Sequence, residues 1–180
     1  MKVVAIVGSI SEQSKNKKLA EFMQKRFKDK LDIEIMLLND MPMYNEDIEL
    51  NPPAVVDEMR KQIRESEGLL ILTPEYNHSI PGVLKNALDW FSRVERVMLN
   101  KPTMIVGASM GALGTVKAQL HLREILNSGG VGAITLPRNE VFIGSIQDKV
   151  DEEGYLNDES TIQFLDTVVD QFIDWAKKIQ

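Results

Sequence analysis

"VVAIVGSISEQSKNKKLAEFM", residues 3–23, holds the change of pattern on which the fold turns. Val3 to Val7 form an unbroken apolar run, the length of a strand covered on both faces. Gly8 ends the run, small polar residues follow, and Asn16 opens a helical pattern in which Leu19, Phe22, Met23 and Phe27 share one face. The loop between them, with Ser9, Ser11 and Ser14, lies ahead of a helix N-terminus. Unpaired N–H groups and the helix dipole favour an anion there. Serine hydroxyls and the Asn16 amide add uncharged donors, a set suited to a phosphate monoester. The competing use of Ser14 or Asn16 is to cap the helix, and this loop alone weighs equally for both.

The same alternation recurs along the chain. Short runs rich in Val and Ile at 2–7, 32–38, 68–73, 102–108 and 131–137 read as strands. Helical patterns stand between and after them, including 82–91, 113–126 and 160–179; the last carries a stripe of Ile162, Leu165, Val169, Phe172, Ile173 and Ala176. Five strand–helix pairs predict an α/β fold, a flavodoxin-like doubly wound five-stranded parallel sheet of order 2-1-3-4-5 with helices on both faces. The expected organisation is one domain over 1–180. Two long loops, 39–53 and 138–158, interrupt the compact pattern.

Composition removes several function classes. The chain has no cysteine, so thiol nucleophiles, disulfides and cysteine metal sites are excluded. Its two histidines, His78 and His121, are too few for a histidine-rich metal site. Net charge is -6 with scattered basic residues, which argues against a nucleic-acid partner. No run approaches the roughly 20 apolar residues of a membrane span, and Val3–Val7 is too short for a signal-peptide core. No membrane partner and a cytoplasmic location are the expectation.

In a sheet of order 2-1-3-4-5 the ligand crevice opens between the first and third strands. The loops after Val7, Thr73 and Ala108 should therefore converge. The first holds one glycine, which is neither a Rossmann fingerprint nor a Walker A loop. The second, Pro74-Glu75-Tyr76-Asn77, offers an aromatic face and an amide; Glu75 reads as a solvated or salt-bridged loop residue. The third contains Gly107-Ala108-Ser109-Met110-Gly111, the G-x-S-x-G pattern of serine hydrolases. A triad in that chain order would need an acid and then a histidine after Ser109. His121 is the only later histidine and no Asp or Glu lies between 109 and 121, so the triad cannot be built. Small residues here instead permit close approach of backbone to a flat ligand.

Taken together, "GSISEQSKNKKLA" (8–20), "LTPEYNHSIPGVLKNALDWFSR" (72–93) and "VGASMGALGTVKAQLHLREIL" (106–126) resemble the NADPH-dependent FMN reductases of flavodoxin-like fold, a group with quinone, azo-dye and chromate reductases. The resemblance covers nearly the whole chain. It implies an FMN-dependent oxidoreductase with NADPH or NADH as cosubstrate and a small-molecule electron acceptor. It implies FMN phosphate contacts at Ser9, Ser11, Ser14 and Asn16. It implies isoalloxazine contacts at Pro74, Glu75, Tyr76 and Asn77 on one side and Ser109, Met110 and Gly111 on the other. No side chain need be catalytic, because the flavin carries the chemistry. A homodimer or homotetramer is implied as well. Ser11 stands where many relatives carry arginine. The rival within the same fold is a flavodoxin-type electron carrier, which lacks NAD(P)H turnover of its own.

Overall fold

The computed structural model describes residues 1–179. Strands β1 (Lys2–Val7), β2 (Asp32–Leu37), β3 (Gly68–Leu72), β4 (Pro102–Ala108) and β5 (Ile134–Thr135) are hydrogen-bonded in the order β2-β1-β3-β4-β5. Every pairing is parallel. The expected order therefore stands. Helices α1 (Lys15–Arg26), α2 (Ala54–Glu65), α3 (Gly82–Ser92), α4 (Val116–Leu126) and α5 (Glu159–Ile179) flank the sheet.

The alternation of side chains along β1 divides the interior into two layers. Val3, Ala5 and Val7 face α1 and α5, where Leu19, Met23, Leu165 and Phe172 are buried. Val4 and Ile6 face the opposite layer, where Ile63 of α2, Leu84 and Phe91 of α3 and Leu122 of α4 are buried. A strand covered on both sides is apolar at almost every position, which is why β1, β3 and β4 read as near-continuous runs.

The fifth position of the sheet departs from expectation. One strand over 131–137 was expected, and 138–158 as loop. Two short segments instead pair with β4 in turn: β5 against Pro102 and Thr103, then β6 (Val141–Ile143) against Val106 to Ala108. Pro137 has no N–H for a ladder, and Arg138 adopts a positive φ of 68°, so the chain leaves the sheet and returns. Helix α4 also begins later than its pattern suggests, at Val116, because Gly114 turns with a φ of 65° directly before it.

Candidate functional site

The carboxyl ends of β1, β3 and β4 open into one cavity of about 730 Å³, within the range of small-molecule sites. Ten of the eleven residues expected at the site line it. Asn77 does not: it lies at the tip of a tight hairpin with a φ of 51°.

The first wall is the loop from Gly8 into α1. Ser14 caps the helix, its Oγ accepting the Lys17 N–H at 3.1 Å. Ser9 Oγ accepts the Ser11 N–H at 3.4 Å. The N–H groups of Gln13, Lys15 and Asn16 have no protein partner among the described residues. These are the orphan donors of a helix start, and they point a partial positive charge into the cavity. The Asn16 side chain is a different matter. It is buried, its Nδ2 donates to the Ala108 carbonyl at 3.0 Å, and its Oδ1 accepts the Ala108 N–H at 3.0 Å. The amide thus joins α1 to the end of β4, and its backbone N–H is left unpaired among the described residues, beside the cavity.

The second wall is the hairpin after β3. Tyr76 and Ser79 exchange backbone hydrogen bonds of 2.9 and 3.0 Å. Asn77 and His78, both with positive φ, form the two-residue turn between them. Glu75 is half-buried, and its Oε2 accepts the N–H groups of Lys117 and Ala118 at 2.9 and 3.1 Å, capping α4 from a distance in sequence. Tyr76 stands half exposed beside it. His78 contacts the Lys117 amine, and His121 Nδ1 lies 2.8 Å from Ser79 Oγ. Neither histidine lines the cavity.

The third wall runs from Ser109 to Gly114. Ser109 Oγ donates to the Gly114 carbonyl at 2.7 Å, so the hydroxyl closes the turn and faces no histidine. Residues after β6 clamp this loop: Ser145 N–H donates to Gly111 O and Ile146 N–H to Ser109 O. The fit is close, since a Cβ on Gly144 would sit 2.1 Å from the Ala112 carbonyl oxygen. The N–H groups of Met110, Gly111 and Ala112 meet no protein acceptor among the described residues. Met110 and Leu113 are exposed at the rim.

The long 39–53 loop is tied to α3 and does not line the cavity. Asn86 Nδ2 and Trp90 Nε1, both from α3, donate to the Pro42 carbonyl at 2.8 and 2.9 Å. Asn86 Oδ1 accepts the Tyr44 N–H at 2.7 Å. Glu49 accepts from the Tyr44 hydroxyl and from Arg93. The Tyr44 bond, then Arg93, hold the Glu49 carboxyl below its ordinary range, while the same bond and burial hold the Tyr44 hydroxyl above its own.

A family model described as NADPH-dependent FMN reductase matches residues 1–148. The chain belongs to that family. The chain is matched over its length by the FerB flavoenzyme NAD(P)H:(acceptor) oxidoreductase from Paracoccus denitrificans. That structure has a TM-score of 0.89 at 34% identity, covering 98% of this chain and 97% of that one. Two sequence relatives are as near. NADH-dependent flavin reductase subunit 2 of Lactobacillus johnsonii is 40% identical, covering all of both chains. NADH:(hydroxy)cinnamate reductase subunit CrdA of Vibrio ruber is 39% identical over 99% of this chain and 89% of that one. The chain is accordingly an NAD(P)H-dependent oxidoreductase. Its cofactor, FMN, suits a cavity that offers unpaired N–H groups at one end and an aromatic, partly apolar wall at the other.

The cavity also takes in Gln13, Ala112 and Leu113, which nothing in the sequence marked. All three lie inside loops already singled out, and no side-chain chemistry distinguishes them.

Proposed function

We propose that this chain, as a single domain over 1–180, binds FMN in the cavity above β1, β3 and β4 and uses it to reduce quinones, flavins or related small acceptors at the expense of NADH or NADPH. The observation that carries the reading is the asymmetry of the cavity. At one end, the unpaired N–H groups of Gln13, Lys15 and Asn16 stand with the Ser9 and Ser11 hydroxyls, a combination that fits a phosphate. At the other end, Pro74, Tyr76 and Met110 offer faces for a flat ring.

When bound, FMN would supply the redox chemistry, relaying the two electrons of a nicotinamide hydride to an acceptor whose protons come from that hydride and from solvent. The chain positions and polarises. Glu75 fixes the hairpin that carries Tyr76. Ser14 caps α1 so that its first N–H groups point outward. Ser109 shapes the third loop, and the unpaired N–H groups of Met110 and Gly111 are donors for negative charge that builds on the ring. Asn77 serves through its backbone, as the turn that presents Tyr76. Among the described residues no free carboxylate or histidine lines the cavity, consistent with a reaction in which the protein supplies no proton-transfer group.

Exposed Ile10, Met110 and Leu113 near the mouth support assembly as a homodimer or homotetramer. No helix among the described residues is long and apolar enough to cross a membrane, and we place the enzyme in the cytoplasm.

A visible spectrum of the purified protein, before and after anaerobic NADH or NADPH, tests the reading. Flavin bands that bleach with either nucleotide are expected. Bands that persist with both would overturn it in favour of an electron carrier. Failure to bind added FMN would overturn the cofactor assignment.

A further inference from the structure

The cavity holds two ionisable charges, and one of them is already used. Among its lining residues Glu75 is the sole acid, committed to the start of α4, and Lys15 is the sole base. The Lys15 side chain makes no hydrogen bond or ion pair among the described residues. The other two lysines of the first loop and turn are placed differently. The Lys18 amine donates to the Tyr155 hydroxyl at 3.1 Å, lies 3.7 Å from Glu21 and sits 4.2 Å over the Tyr155 ring. Lys17 does not line the cavity.

Lys15 also has room to move. It borders a second cavity of about 290 Å³, beneath the turn that carries Asp151, Glu152 and Glu153. Its Nζ would lie 3.9 Å from a Cβ placed on Gly154. Gln13 and Lys15 line both spaces. A lysine's four-carbon stem has freely rotatable bonds, so an ammonium carried at the first position of α1 is within reach of either space.

Resting on the flavin reading above, we infer that Lys15 is the phosphate counter-charge of this enzyme, a function that Ser11 cannot supply. Its ammonium turns from the acidic 151–153 turn toward the dianion held by the α1 N–H groups. The uncharged donors orient the phosphate, and the lysine contributes the charge-dependent part of affinity. The residue discriminates FMN from riboflavin, which lacks the phosphate.

Fluorescence titration of the apoprotein with FMN and with riboflavin tests this. Lys15→Gln should weaken FMN by about tenfold and leave riboflavin unchanged. Lys15→Arg should restore FMN affinity, and Lys17→Gln should leave it at the wild-type value. Unchanged FMN affinity in Lys15→Gln would overturn the inference and leave the flavin reading standing, as would an equal loss for both ligands. A wild-type protein that binds neither flavin would overturn both.

Discussion

The loop at 9–15 and the hairpin at 74–79 face the same cavity and are built on opposite principles. The first leaves donors unpaired: the N–H groups of Gln13 and Lys15 have no protein acceptor among the described residues. The second satisfies itself. Tyr76 and Ser79 bond each other, and Glu75 is bound to α4. A wall that recognises a charged group needs unsatisfied donors, whereas a wall that recognises a flat ring needs a fixed shape. The contrast separates what each wall should contribute: polarity and charge from the first, stacking from the second.

The largest disturbance comes from removing what joins the walls. Asn16→Ala would leave both the N–H and the C=O of buried Ala108 without a partner, at a cost of about 3 kcal/mol. Urea unfolding should show the loss in its midpoint, and apoprotein should lose affinity for FMN and riboflavin together. Next, Tyr76→Ala removes a stacking face, worth about 1–3 kcal/mol in aromatic–base pairs. The expected outcome is a loss of roughly tenfold or more for FMN and riboflavin alike. An effect confined to FMN would erase the distinction between the walls.

Glu75→Ala uncaps α4 and frees the base of the hairpin, for about 1 kcal/mol of stability. Thermal unfolding should record it, with a smaller fall in flavin affinity than Tyr76→Ala produces. The smallest effect is expected in the 39–53 loop, which resembles the hairpin in satisfying its own groups. Glu49 is held below its usual value of 4.5, chiefly by the Tyr44 hydroxyl. Its contribution is therefore fully present above that pH and is lost as pH falls through the lower, folded value. Tyr44→Phe should lower the urea midpoint at pH 7, and the difference from wild type should vanish in strong acid.

The pattern of hydrophobic runs was enough for the helices, the parallel sheet and its order, because a doubly covered strand and an amphipathic helix each impose their own period. It was not enough for the far edge, where a single run over 131–137 conceals a break at Pro137 and a positive φ at Arg138. The convergence of three loops was legible from topology. What individual side chains do there was not. Asn16 and Ser14 look equivalent in sequence, yet one bonds a peptide 92 residues away and the other caps its own helix. Asn86 and Trp90 read as helix positions, and only the packed fold reveals Pro42 between them. Such pairings are fixed by tertiary distance, which local periodicity does not encode.

The broken fifth position has a consequence for how the molecule behaves in a crowded solution. A long bare strand at the margin of a sheet is a template on which another chain can align and extend. Here that margin is two residues of strand, a detour through Pro137 and Arg138, and three more residues. The opposite margin, β2, has its Ile33 carbonyl occupied by the Gln24 side chain at 2.7 Å and carries Asp32 and Glu34 along its length. The broken margin offers no continuous ladder to a stranger, and the occupied carbonyl and acidic side chains of β2 make the other a poorer template for pairing.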